Sequence, residues 1–223
     1  MPLAPAHPAL VLPLQRLGLP LSALVVGAVA PDAPVYLPVG VSYRTTHSGP
    51  GLVVDVVIGL VVLALWFGLM RDAVVDLTPS LRRRIPARAR LGREAWLLAP
   101  PALAVGSATH VLWDSCTHDW GYAVQELAFL REEYGPAPLY RWLQHASTVV
   151  GSFVVAAYAV SGLRTAPAVP RPPAVDRPWL WLTPVPVAAL AVGILLRNPN
   201  AAVGAALLAL LVVASGWWTA RRH

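Results

Sequence analysis

The apolar positions of this chain gather into long runs near 52–70, 95–113, 143–163, 179–196 and 200–218. Each approaches the roughly 20 residues that a helix needs to cross a bilayer. Pro100-Pro101 interrupts the second run, and Asn198-Pro199-Asn200 separates the last two. Residues 3–37 are apolar as well, but Leu17-Gly18-Leu19-Pro20 breaks them, and Asp32 stands between Pro31 and Pro34. A regular span through that carboxylate is disfavoured. The pattern predicts a helical hairpin instead, with one helix from about Pro8 to Leu17 and a second from Ser22, as N-cap, to about Ala30. At about 1.5 Å per residue the first leg descends roughly 15 Å and the second returns roughly 18 Å, which puts His7 and Asp32 at one depth. The expected fold is an all-α integral membrane protein, an N-terminal helical hairpin plus about five transmembrane helices. Residues 1–165 would carry any site, and 166–223 would form a Pro/Arg linker and a C-terminal two-helix hairpin. The cores of that last hairpin hold no ionisable residue, so it reads as scaffold.

Composition agrees with a membrane bundle: 57% of residues are hydrophobic and 13% charged, with a mean hydropathy of +0.59. All 17 basic residues are Arg. That points to a coding bias, so the net charge of +6 gives no support to a nucleic-acid partner. Arg placement does report orientation. Segment 71–94 carries seven, 164–178 three and 219–223 two, against Arg44, Arg131, Arg141 and Arg197 on the other side and Arg16 at the hairpin tip. Twelve against four places the first group inside, as expected for a bacterial cytoplasmic membrane protein. Met1–Pro5 lacks the basic start of a cleaved signal peptide. The single cysteine, Cys116, excludes an intramolecular disulfide and is either a small buried filler or a soft ligand.

Orientation gives the polar residues their meaning. Thr109–Asp119 closes an apolar run yet carries His110, Asp114, His118 and Asp119. On a continuing helix His110, Asp114 and His118 recur at i, i+4 and i+8, each step turning about 40°, so they line one stripe. Imidazole and carboxylate on one face suit Zn, Mn or Fe. The plain alternative is a helix end whose polar groups meet water. Asp32, His47, Asp55, His110, Asp114, His118, Asp119 and His145 all fall near the outer ends of their segments, and the hairpin adds His7. Every histidine but His223 thus gathers at one membrane level, which favours a common extracytoplasmic site.

The expected metal ligands are His47, His110, Asp114 and His145, with His7 and Asp32 completing or orienting them around a divalent ion (Zn, Mn, Fe or Mg). A closed structural zinc site is usually Cys-rich and needs four ligands. An excess of His and carboxylate suits an open or two-metal site with groups left for acid/base work. His118 and Asp119, past the helix end, are expected in that work or in orienting the ligands. Arg44, Arg131 and Arg141 would hold an anionic head group. Asp55, inside an apolar run, is a functional carboxylate or a bond to polar groups of the hairpin. The Trp and Tyr residues of 113–142 form an interfacial belt or a substrate cage.

The elements His7-Pro8-Ala9, Leu21–Gly27 running into Pro31-Asp32, Thr46-His47-Ser48 with Gly51 and Asp55, His110–Ser115 with Thr117-His118, and Gln144-His145 with Ser147 resemble one bacterial membrane family. It is domain-of-unknown-function family 4184, and the likeness covers about residues 1–165. It is similar in style to predicted membrane-bound metal-dependent hydrolases, which share a Thr-His-Ser element and a His-x3-Asp element. The resemblance implies His7, Asp32, His47, His110, Asp114, His118 and His145 as the polar positions of the family pattern. The chain departs from that pattern where Ala33-Pro34-Val35 follows Asp32 in place of a nearby acidic or aromatic residue.

The first functional expectation is therefore a metal-dependent hydrolase in the membrane, acting at the outer interface on a lipid or phosphoester. A second is a metal-dependent cyclase or transferase on an isoprenoid diphosphate, for which metal, Arg and aromatic rings are suited. A third is a metal or proton transporter, although polar groups clustered at one level favour a site over a pathway. No phosphate-binding Gly loop, G-x-S-x-G elbow or His-Glu-x-x-His element is present.

Overall fold

The computed structural model describes residues 6–221. Met1–Pro5, together with Arg222 of the Arg tally and His223, lie outside them. In chain order the helices that matter below are α1 (Pro8–Val11), α2 (Leu21–Gly27), α3 (Tyr43–Thr46), α4 (Gly51–Leu65), α5 (Arg71–Leu77), α6 (Arg93–Thr117), α7 (Tyr122–Glu126), α8 (Leu139–Thr165), α9 (Pro184–Leu196) and α10 (Pro199–Ala220). Glu133–Tyr134 and Ala137–Pro138 pair as a minimal antiparallel ribbon. Among the described residues, five helical stretches are long and apolar enough to cross a membrane: Gly51–Leu77, Arg93–Glu126, Leu139–Thr165, Pro178–Leu196 and Pro199–Ala220. The chain is an all-α multi-pass membrane protein. Pro100 and Pro101 do not interrupt their span, because α6 runs straight through them. Proline is tolerated within membrane helices where neighbours re-satisfy the freed carbonyls.

The chain forms two compact units. One comprises residues up to Ala33, Gly40–Val61 and Arg93–Val160; the other comprises Pro34–Val39, Val62–Gly92 and the residues from Ser161 onward.

The first unit opens with the hairpin. Its descending leg is α1 followed by a 3-10 segment, Leu12–Leu17, in place of one α-helix. Pro13 lacks the N–H that would bond the carbonyl of Ala9, so the tighter winding takes over. Gly18 (φ +77) makes the turn in the left-handed region. Pro20, not Ser22, is the N-cap of α2. The returning leg then packs on α6 through two glycines: a Cβ at Gly27 would run into Leu103 O, and one at Gly106 into Leu24 O. Small residues at a membrane helix crossing let backbones approach this closely. Asp55 of α4 accepts from Ser107 Oγ of α6 at 2.6 Å, and Tyr158 of α8 donates to Gln15 Oε1 near the hairpin tip at 3.0 Å.

In the second unit, a π turn at Trp66–Met70 precedes α5. The wider turn leaves the Leu69 carbonyl accessible, and Trp218 Nε1 donates to it at 2.8 Å. The α9–α10 connection is capped by Asn198, whose side chain accepts from Asn200 N and Ala201 N (2.9 and 3.3 Å), with Pro199 opening α10. Asp76 is buried, accepting from Trp217 Nε1 at 2.9 Å and Ala174 N at 3.0 Å. Several Arg residues of this unit are spent on carbonyls and on Asp72: Arg84 reaches Ala166 O at 2.7 Å, Arg171 reaches Ile85 O at 2.8 Å, and Arg71 and Arg90 bond Asp72 at 2.8 and 3.0 Å. Replacing Asp76 by Ala would leave two donors unpaired, the buried Trp217 Nε1 and the half-buried Ala174 N, a cost of about 1–3 kcal/mol. The melting temperature of Asp76→Ala in detergent should fall well below that of Trp217→Phe, which deletes only one donor.

Candidate metal centre

The backbone prepares the centre before any side chain reaches it. After α2 the chain tightens into a 3-10 turn, Ala30–Asp32, so that Asp32 N bonds Val29 O at 3.2 Å. In a continuing α-helix that amide would have bonded Ala28 O. The freed Ala28 carbonyl accepts instead from His110 Nδ1 at 2.8 Å. α3 is a single turn capped by Ser42, whose Oγ accepts from Thr45 N at 3.1 Å. Thr46, fully buried, donates to Pro31 O at 2.7 Å and so ties α3 beside Asp32. His47 follows directly, with Nδ1 donating to Tyr43 O at 3.0 Å. α6 extends one turn beyond the apolar run, which puts His110, Asp114 and Thr117 on its buried face.

These contacts decide the tautomers. A carbonyl can only accept, so Nδ1 is the protonated nitrogen of both His47 and His110. Each therefore presents an Nε2 lone pair, and the two Nε2 atoms face one another at 3.3 Å. Asp114 Oδ2 lies 3.4 Å from His110 Nε2 and 3.5 Å from His47 Nε2. Asp32 Oδ1 lies 3.7 and 3.8 Å from the same atoms. On the other side of Asp114, Oδ1 stands 3.5 Å from His7 Nε2 and 3.6 Å from His118 Nδ1. The His7 ring stacks on His110 with centroids 3.7 Å apart. Burial, with His110 next in effect, pushes the His7 imidazole down to about 3, so its ring is neutral at neutral pH. Burial pushes the Asp32 carboxyl up, against the pull of His110.

Lone pairs aimed at lone pairs repel unless a cation lies among them. Both ring nitrogens of His7, Asp32 Oδ1 and Asp114 Oδ1 are buried without a hydrogen bond, where an unsatisfied polar atom ordinarily costs about 1–3 kcal/mol. Neighbouring ligands of one ion at about 2.0–2.3 Å stand roughly 2.9–3.8 Å apart. The separations of 3.3–3.8 Å fall within that range. Two sets of ligand atoms are close enough to hold an ion, His7 with His110 and Asp114, and Asp32 with His47 and His110. They share His110. Imidazole with carboxylate is a donor set for a first-row divalent metal.

Five of the anticipated metal residues, His7, Asp32, His47, His110 and Asp114, thus converge. His145 does not: it is exposed on α8. Its neighbour Gln144 faces inward, with Nε2 at 3.2 Å from His118 Nε2. His118 is buried, its Nδ1 donating to Asp114 O at 3.2 Å. Asp119 is exposed and accepts from Trp120 N at 2.8 Å. Asp55 bonds Ser107, one turn before His110, rather than polar groups of the hairpin. Arg44 lines a cavity of about 490 Å³ together with Tyr43, His47 and Trp120. Arg131, exposed, donates from Nη1 to the carbonyls of Val124 and Gln125. Arg141 is exposed on α8. Cys116 belongs to neither ligand set and lies 3.8 Å from Ser115 Oγ.

Thr46 positions two ligands at once, so its hydroxyl should control metal affinity. Thr46→Val keeps the shape and removes the bond to Pro31 O. The loss expected of a partner that orients a ligand is about 10–100-fold in metal affinity, read by competition against a chromogenic chelator.

Comparison with known proteins adds one finding. A family model described as a domain of unknown function (DUF4184) matches residues 1–220. No curated protein and no solved structure matches the chain.

Proposed function

The chain belongs to the DUF4184 family, and from its buried centre we propose that it is a membrane-embedded, metal-dependent hydrolase of a lipid or phosphoester. The observation that carries this reading is the pair of Nε2 lone pairs of His47 and His110, 3.3 Å apart and flanked by Asp32 and Asp114. A divalent cation bound there would lower the pKa of a coordinated water toward neutrality and polarise a P–O or C=O bond. The chain's own groups supply the rest. Arg44, in the wall of the cavity beside His47, would hold an anionic head group. His118, held by Gln144 and the Asp114 carbonyl, would move a proton at the Asp114 side of the centre. The imbalance of Arg between the two sets of loops supports a centre facing away from the cytoplasm.

Metal analysis of purified protein, followed by ester hydrolysis with chelation and metal readdition, tests this. The expected result is a bound divalent metal and turnover that chelation abolishes, readdition restores and His110→Ala eliminates. A metal-free protein, or intact turnover in His110→Ala, overturns it. The aromatic walls Tyr43 and Trp120 beside Arg44 favour one second reading, ionisation of an isoprenoid diphosphate. Product analysis separates the two: a free alcohol supports hydrolysis, and a cyclised or transferred prenyl chain supports the second.

A further inference from the structure

The second unit holds a cavity of its own, where two membrane spans end. It measures about 160 Å³ and lies between α5, the last turn of α10 and the segments at 87–88 and 171–174. Asp72, Asp76, Arg88, Arg171, Trp217 and Arg221 line it. Pockets that take a drug-sized ligand run to roughly 300–1,000 Å³, so this one fits a single compact group.

The charges around it do not balance. Asp72 accepts from Arg71 Nη1 at 2.8 Å and from Arg90 Nη1 at 3.0 Å. Asp76 accepts from Trp217 Nε1 at 2.9 Å and Ala174 N at 3.0 Å. Both carboxylates thus face donors of the protein, while Arg88, Arg171 and Arg221 add three more guanidinium groups to the wall. Five guanidinium groups meet two carboxylates. Burial pushes the Arg171 guanidinium down, and Arg71 and Arg82 press the same way against the pull of Asp76. Arginine does not relieve such crowding by losing its proton. An anion relieves it.

Arg221 is held ready for one. Its Cζ lies 3.8 Å over the Trp218 ring, and Trp218 is itself fixed by its bond to Leu69 O. A guanidinium stacked on an indole keeps its N–H donors directed outward in its own plane. Arg221 Nε is nevertheless buried without a hydrogen bond. Arg171 is anchored through Nη1 to Ile85 O at 2.8 Å, which leaves its remaining N–H groups to donate. Such forks match the paired oxygens of a phosphate. Trp217 and Trp218, in the last turn of a membrane span, mark the depth of lipid head groups. Basic pockets at that level take lipid phosphates.

We infer that this cavity binds a phosphate group, held by Arg88, Arg171 and Arg221, whether carried by an anionic phospholipid or free in solution. The group would tie the segments at 87–88 and 171–174 to the ends of α5 and α10.

The test uses the full chain, stripped of lipid in a neutral detergent. It is titrated with a short-chain phosphatidic acid, with the matching diacylglycerol, and separately with inorganic phosphate. Native mass spectrometry reads the lipids and calorimetry reads phosphate. Phosphatidic acid should bind and diacylglycerol should not. Arg171→Gln and Arg221→Gln should each weaken binding about tenfold, the order expected for a lost charge-assisted hydrogen bond. Arg88 is exposed, so Arg88→Gln should weaken binding in a protein that melts as the parent does, which covers a folding failure of the other two. Arg83→Gln removes the same charge from an exposed side chain of the same segment outside the cavity, and should change nothing. Inorganic phosphate binding as tightly as phosphatidic acid assigns the site to soluble phosphate. Phosphatidic acid preferred over it assigns the site to a lipid head. Failure of both to bind overturns the inference. So does binding that all three cavity variants leave intact, or that Arg83→Gln lowers as much as they do.

Discussion

Asp114→Asn should emerge from purification without metal, and in the metal-free state it should melt no lower than the parent. Four imidazoles reach this one carboxylate, His7 and His118 at Oδ1 and His47 and His110 at Oδ2, at 3.4–3.6 Å. Asparagine keeps the shape and removes the charge. Partners that only orient a ligand cost about 10–100-fold in affinity when lost, and a residue at the hub of the set should cost more. The stability effect has two signs. Without a cation, Asp114 and Asp32 are two buried carboxylates in one cluster, Asp114 among four imidazoles and Asp32 beside two of them, and a buried charge without full compensation is expensive. Replacing one of them removes part of that cost. With a cation, the parent gains stability as RT ln(1 + [L]/Kd) and the variant does not. Melting curves of both proteins, with and without added Zn or Mn, should therefore cross in order. Equal metal content, or the same loss of stability in both states, would refute a metal centre organised by Asp114.

How much of this could be read beforehand depends on what a periodic pattern encodes. Hydropathy reports which residues meet lipid, so the spans and their order are visible in the chain, whereas the 3-10 winding of Leu12–Leu17, with its steeper rise per residue, is not. The i, i+4 spacing of His110 and Asp114 gives a shared face because both lie inside one helix. Depth in the membrane, by contrast, carries no azimuth. His145 stands at the right level, but one residue turns a helix by about 100°, so Gln144 faces His118 and His145 faces outward. Arg131 shows a second limit. Its charge suggests an anion, yet its Nη1 donates to the carbonyls of Val124 and Gln125, and backbone geometry of that kind has no hydropathic signature. The Ala28 carbonyl is a third case. It is available to His110 only because a 3-10 turn redirects the Asp32 amide to Val29. Pro31 beside it is the trace of that turn in the sequence.

Gly27→Val should destroy metal binding from a position that touches no ligand. A Cβ at Gly27 would run into Leu103 O and come within 2.8 Å of Leu103 Cα and 2.9 Å of its carbonyl carbon. Those atoms are helix backbone, so no rotamer change relieves the clash and α2 must move off α6. Overpacking of this kind costs about 1–3 kcal/mol in a well-packed interior. The geometric consequence is larger than the energetic one. Ala28 follows Gly27 and holds His110 Nδ1 at 2.8 Å, toward the short end of the range for such a bond. A displacement of about 1 Å breaks it, whereas a metal site tolerates about 0.2 Å. With that bond lost, the His110 ring is no longer fixed with Nε2 toward His47. Gly59→Ala is the control, because its added methyl meets only the flexible end of the Leu103 side chain. Circular dichroism should show both variants helical, while chelator competition should show metal lost in Gly27→Val and kept in Gly59→Ala. Retention of metal by Gly27→Val would mean that the α2–α6 crossing does not set the position of His110.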